Sequence, residues 1–281
     1  MIENLSSKQR INHQVKGFYN TNSLFEDTIY DLDIFELESI DINSFDSSVI
    51  DIKIQLPLGK RVEHFFEALL NNSLRYDVIL KNIQIINNKN TLGELDFLLY
   101  NKKEDIYTHV ELVYKFYVYD DRFTKELDRY IGPNRSDTLV LKLNKLKDKQ
   151  FPLLFKEQTK EYIKEIDLTN VNQKVCYKAN IFLPLHLVGK KIPLINNATV
   201  TGFYLSFEKF KEQIDFKDYE FFLPHRYDWL TNPNTNNIWK NYDEAKEEIE
   251  FFINLKASPL IWLRKVEEDK VKHERFFVTW W

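Results

Sequence analysis

An α/β fold with a mixed central sheet is predicted by three features of the sequence. One is an amphipathic helical stripe, the next a run of three β-flavoured segments, and the last a second helix followed by a further strand. Together they give the order α-β-β-β-α-β over roughly residues 60–184. Only 6 Gly and 8 Pro punctuate 281 residues, which favours long regular elements.

The first helix is read in LGKRVEHFFEALLNN, from about Arg61 to Asn71. Val62, Phe65, Phe66, Leu69 and Leu70 recur at spacings of three and four and form one apolar stripe. Glu63 and Glu67 lie at the edge of that stripe, and His64 points the other way. YDVILKNIQII (about 76–86), TLGELDFLLYN (91–101) and DIYTHVELVYKFYVYD (105–120) are rich in β-branched and aromatic residues. Hairpin-like connections at Asn87–Asn90 and Asn101–Glu104 make them a meander. SDTLVLKLNKLKDKQ is the second helix, about 137–149, with Ser136 or Asp137 as its N-cap. Lys142, Lys145 and Lys149 share a stripe beside its apolar face. KVCYKANIFLP (about 174–184) is a further strand.

Outside this core the pattern is weaker. Residues 1–55 are an N-terminal extension, with 24–50 expected as a short strand and loops. Residues 56–185 form the core. Residues 186–281 add a strand in TVTGFYLSF, a helix in DEAKEEIEFFINLKASP and a hairpin from LIWLRKV and RFFVTWW, all expected to pack on the core.

Composition narrows the function. With 39 Lys plus Arg against 43 Asp plus Glu the net charge is −4, which excludes a globally basic nucleic-acid binder but not a local basic patch. One cysteine excludes an intramolecular disulfide and any multi-cysteine metal site, and Cys176 lies in an apolar stretch as a core thiol. No run approaches ~18 uninterrupted apolar residues and the N-terminus lacks a secretory pattern, so a cytoplasmic protein without membrane partners is expected.

The chemistry-bearing residues are on the strands. Alternation puts Leu95, Phe97 and Leu99 on one face and Glu94 and Asp96 on the other. On the next strand His109, Glu111 and Lys115 share a face. Two carboxylates and a lysine on adjacent central strands are costly to bury unless they hold a cation or one another. Mg²⁺ takes one or two carboxylates and completes its shell with water and substrate phosphate oxygens. A neighbouring lysine orients the attacking water or stabilises transition-state charge. A structural or solvated carboxylate pair is the alternative reading, since strands often carry Asp, Glu and Lys by chance.

GELDFLLY (93–100), then HVELVYKFYVY (109–119), then YIGPNRSDTLVLKLNKL (130–146) resemble an uncharacterised bacterial domain-of-unknown-function family. That family is placed by fold in the PD-(D/E)xK nuclease-like superfamily of restriction-type endonucleases. The resemblance covers about 57–185, and the WLRK…FFVTWW hairpin more loosely. It implies a restriction-endonuclease-like core and a Mg²⁺- or Mn²⁺-dependent nuclease acting on DNA, or less readily on RNA. Carried over by motif, the metal carboxylates fall on Asp96 and Glu111 and the catalytic lysine on Lys115. The first-helix glutamate falls on Glu67, with Glu63 the second choice. The superfamily places its lysine two residues after the acid, where this chain has Val113. A non-catalytic nuclease-like module that binds nucleic acid or a protein partner is therefore the alternative. Lys142, Lys145, Lys149 and Arg135 are the expected phosphate contacts.

Overall fold

A computed structural model describes residues 7–53, 55–164, 166–236, 238–267 and 270–281. The N-terminal residues 1–6 and part of the charged turn in the terminal hairpin, residues 268–269, lie outside them. The chain enters through α1 (Ser7–Asn20), a loop region and the two-residue β1 (Asp33–Ile34), and then forms α2 (Leu58–Asn71). The meander follows as β2 (Tyr76–Asn87), β3 (Asn90–Asn101) and β4 (Ile106–Tyr119). After β5 (Tyr130–Ile131), α3 (Leu139–Lys145) runs through a π-helical turn at Leu146–Gln150 into α4 (Phe151–Leu153), and then β6 (Val171–Pro184). The C-terminal part contributes β7 (Val200–Ser206), α5 (Phe207–Glu212), β8 (Glu220–Phe222), α6 (Tyr242–Asn254), β9 (Leu260–Glu267) and β10 (Lys270–Thr279). Among the described residues no helix is long and apolar enough to cross a membrane.

Among the described residues all strands join one ten-stranded mixed sheet in the order β2-β3-β4-β6-β7-β10-β9-β8, with β1 on β6 and β5 on β4. The three meander strands are consecutive antiparallel neighbours, as the sequence predicts. β4 and β6 pair in parallel over an unbroken ladder from Tyr107↔Val171 to Val118↔Phe182. Burial on both faces explains their near-continuous apolar sequences. The sheet then continues through β7 and the terminal hairpin, with β10 parallel to β7 and antiparallel to β9.

Helices cover both faces. On one, Val15 and Phe18 of α1 and the predicted α2 stripe bury against Phe97, Leu99, Val110 and Leu112. On the other, Leu139, Leu143 and Leu146 pack on Val113, Tyr117, Val175 and Tyr177. Further along, α5 and α6 cover Phe203, Ile261, Leu263 and Phe276.

Three local readings are corrected. Thr138, not Ser136 or Asp137, is the N-cap of α3, its side chain accepting from Leu141 N–H at 3.2 Å. His64 does not point away from Glu67; the two line the same cavity, as neighbours three apart on a helix do. Leu95 does not share a face with Phe97 and Leu99: it packs with Leu98 and Leu153 on the opposite side. The alternation breaks at Asp96, whose register position faces Asn82 of β2, between the pairs Lys81↔Phe97 and Ile83↔Leu95. Asn82 has φ 50°, a left-handed conformation that twists β2 there.

Helix α1 has no apolar stripe of the usual width because part of its buried face is polar. Asp228, 1% exposed, accepts from Arg10 Nε at 2.9 Å and Gln14 Nε2 at 2.7 Å. Gln14 Oε1 in turn accepts from Arg61 Nε at 3.0 Å and Nη2 at 2.7 Å, which links α1, α2 and the 226–230 loop. Close contact of α1 with that loop depends on Gly17, where a Cβ would lie 1.9 Å from the Leu230 carbonyl oxygen. Gly17→Ala is expected to lower stability by about 1–3 kcal/mol through this overlap. Gly59→Ala, at a helical position with nothing within 4 Å, should instead raise it by up to about 1 kcal/mol. Urea unfolding of both variants checks the opposite signs.

Candidate active site at the fork between two strands

β3 and β4 pair only from Phe97↔Val110 to Asn101↔Ile106, and beyond Phe97 the two strands separate. Asp96 stands at the point of separation. Its Oδ2 accepts from the Leu112 backbone N–H at 2.9 Å, replacing the next rung of the ladder with a side chain. Glu111, fully buried on β4, lies near enough to Asp96 to hydrogen-bond when one of the two is protonated. Burial first, and the Glu111 charge second, push the Asp96 carboxyl up to about 7. Burial pushes Glu111 upward too, against the opposing charge of Lys142.

Each oxygen of Glu111 has a donor. His109, also fully buried, contacts Oε1 through Nε2 at 3.0 Å. Its Nδ1 faces Gln173 Nε2 at 2.9 Å, and that same Nε2 donates to the Phe151 carbonyl at 2.8 Å. Burial lowers His109 to about 4, so the ring is neutral near pH 7. With Nδ1 accepting, its proton sits on Nε2 and is donated to Glu111. Gln150 Nε2 donates to Oε2, and Lys142 Nζ donates to Gln150 Oε1 at 2.8 Å.

The π-helical turn makes this chain possible. It inserts extra residues per turn after Lys145, so Lys142 and Gln150 converge although they are eight apart. It also takes Lys149 out of line with Lys142 and Lys145, which precede it in α3. Lys142 is turned inward, and burial lowers its amine against the pull of Asp96 and Glu111. Lys145 and Lys149 stay exposed, with Lys145 acting on Glu111 only at a distance.

The other candidates lie further out. Lys115 forms an ion pair with Asp137 and lines an adjacent groove with it. Glu67 pairs with Lys81. Glu63 is the α2 carboxylate close enough to feel the Asp96 charge, and Lys60 bridges it to Glu94 at 2.9 and 2.8 Å. Arg135, at φ 59°, stacks over Trp281 at 3.8 Å and reaches Asp120 at 3.4 Å. Asn134 accepts from Ser258 N–H at 2.8 Å, so the GPN turn holds the C-terminal segment in place. The sequence reading did not give a site role to Gln150, Gln173 or Asn82.

Among the described residues no group of three or more His, Cys, Asp or Glu is arranged to hold a metal ion. A hard cation of the Mg²⁺ type needs only one or two carboxylates, and Asp96 and Glu111 supply that number. The Asn82 Oδ1, on β2 between the registered positions 81 and 83, is buried without a hydrogen-bond partner.

Stability should depend on pH through this pair. Unfolded carboxyls titrate near pH 4, whereas Asp96 in the fold titrates at about 7. Between those values the folded state binds the extra proton, so stability is present at low pH and lost as pH rises from about 4 to 7. The loss from Asp96 is at most about 4 kcal/mol. Asp96→Asn keeps an acceptor for Leu112 N–H and removes one charge. Urea unfolding without metal should find it more stable than the parent at pH 8 and level with it at pH 4.

Searches against curated proteins and against solved structures find no match. A family profile described as a domain of unknown function, DUF1853, matches residues 33–279. That span runs from β1 to the end of β10 and includes the fork with Asp96, Glu111 and Lys142. The chain belongs to the DUF1853 family.

Proposed function

We propose that the fork is the active site of a Mg²⁺-dependent nuclease that hydrolyses phosphodiester bonds of DNA. The supporting observation is the Asp96–Glu111 carboxylate pair at the base of the β3–β4 fork, with the Lys142 amine acting on both. When both carboxyls are ionised they repel, and a divalent cation between them would relieve that repulsion. The bound cation would supply Lewis-acid stabilisation of the phosphate and a water of lowered pKa.

The chain's own residues divide the remaining work. Asp96 and Glu111 would hold the cation, Asp96 kept in place by Leu112 N–H and Glu111 by His109 and Gln150. Lys142 is the amine best placed to stabilise charge on the phosphate or to orient the attacking water, a role the PD-(D/E)xK motif would give to position 113, which is Val113. Its amine is lowered by burial, which suits it to proton transfer. Lys115, paired with Asp137, would contact the strand in the adjacent groove. Glu63 takes the place of Glu67 as the accessory carboxylate.

A second reading rests on one observation: both Glu111 oxygens already have protein donors. A non-catalytic module that keeps the scaffold and binds nucleic acid would look the same.

Calorimetry with Mn²⁺ and single-turnover cleavage of labelled DNA and RNA panels separate the two. A nuclease should bind Mn²⁺ and lose that binding in Asp96→Asn. Lys142→Met should cut turnover by about 10²–10⁴, the usual contribution of a positioned proton-transfer or charge-stabilising group. Lys115→Met should instead weaken strand binding and leave turnover within about tenfold. Equal Mn²⁺ affinity in the parent and Asp96→Asn, with no cleavage by the parent, would decide for the binding module.

A further inference from the structure

Away from the fork, a cavity of about 770 Å³ opens between α1, the ends of β6 and β7, the 230–234 loop and the terminal hairpin. Its volume falls in the range of small-molecule sites. Three basic side chains stand in its wall, His13, Lys16 and Arg275, and no carboxylate does.

Arg275 is the unusual member. Its Nε donates to the Thr201 carbonyl at 3.3 Å and its Nη2 to Asn180 Oδ1, both neutral acceptors. Among the described residues no Asp or Glu forms an ion pair with it. Burial draws the guanidinium down to about 10, with no acidic carboxylate to offset the loss. A desolvated cation without a counter-charge is unfavourable in a folded chain unless something else supplies the charge.

The second observation is independent. Trp262 is 9% exposed, lines the same cavity, and its Nε1 is buried with no hydrogen-bond partner. Trp262 is the cross-strand partner of Arg275 in the β9–β10 register, so both side chains leave the same face of the hairpin. The guanidinium lies 5.5 Å from the indole centroid. A guanidinium held only by neutral acceptors and an indole N–H with no acceptor share one wall, with Lys16 in the same lining, and together they suit a ligand rich in negative oxygen.

We propose that this cavity binds the phosphate of a nucleotide, with Arg275 and Trp262 as donors to the phosphate oxygens. Arg matches phosphate bidentately through its planar fork. The volume exceeds what a phosphate alone fills, and Tyr114 and Trp262 give the remainder an aromatic wall on which a base can stack. The nucleotide is either free or one unit of a nucleic-acid strand. The site does not depend on the carboxylate fork.

The test uses the full chain in EDTA, so that cation-dependent binding at the fork makes no contribution. Unfolding midpoints and calorimetric affinities are measured with AMP, adenosine, inorganic phosphate and a short oligothymidylate. AMP or the oligonucleotide should raise the midpoint in a concentration-dependent way, and adenosine should not. A response to AMP identifies a free nucleotide, and a response to the oligonucleotide alone identifies a strand. Arg275→Gln should lower affinity by about tenfold or more, while the ligand-free midpoint stays level or rises because an unneutralised buried charge is gone. If Arg275→Gln does not fold, Lys16→Gln carries the test and should weaken binding several-fold and reduce its salt dependence. Adenosine binding as well as AMP, no response to either nucleotide probe, or unchanged affinity in the folded variants would each overturn the proposal.

Discussion

Strand β4 is held along one whole edge and along only half of the other, and that asymmetry governs the molecule. On the β6 side its ladder is continuous from Tyr107 to Val118. On the β3 side it ends at Val110, and the next backbone donor, Leu112 N–H, goes to the Asp96 carboxylate. A buried backbone N–H without an acceptor would be expensive, so the sheet can part there only because a side chain takes over the rung. The same carboxylate is thereby fixed beside Glu111 in a place where both are short of water. The raised Asp96 carboxyl follows from where the two strands stop pairing.

The surrounding polar network then acts as a positioning device. From Lys142 through Gln150 to Glu111, and from Gln173 through His109 to the same carboxylate, each member has one defined role as donor or acceptor. Networks of this kind in a low-dielectric interior are rigid because every alternative orientation leaves a partner unsatisfied. The π-helical turn is the backbone's part in it, and such turns are often kept where function needs a side chain re-aimed.

Elements whose stability comes from an apolar face were legible in the sequence. The α2 stripe, the three meander strands and the β6 strand all appear where their Val, Leu, Ile and aromatic periodicity puts them, because burial of that face decides the conformation. What escaped was set by polar groups. Helix α1 buries Gln14 and Arg10 against Asp228, residues more than 200 positions away, and no local pattern signals that. The π-helical turn has no simple periodicity, so Lys149, which lies within it, does not stay in line with Lys142 of α3. Asp96 and Glu111 stand out in the sequence as polar residues inside apolar strands, and the fold brings the two together. Which of Glu63 and Glu67 lies nearer Asp96 was not legible, because both border the stripe and only the docking angle of α2 separates them.

The sheet order also carries a consequence for how the chain reaches this structure. β7 ends at Ser206, yet its outer neighbour is β10, which begins at Lys270, more than sixty residues further along. During synthesis the edge of β7 therefore stands unpaired while α5, β8, α6 and β9 emerge. Parallel pairing at such a separation closes slowly, since a long loop must be ordered before the contacts repay it. An open edge beside Phe203 and Leu205 is a template for pairing with another chain in that interval. The nascent protein should accordingly be most vulnerable to aggregation before β10 inserts, and a truncation just ahead of Lys270 should leave that vulnerable edge exposed permanently.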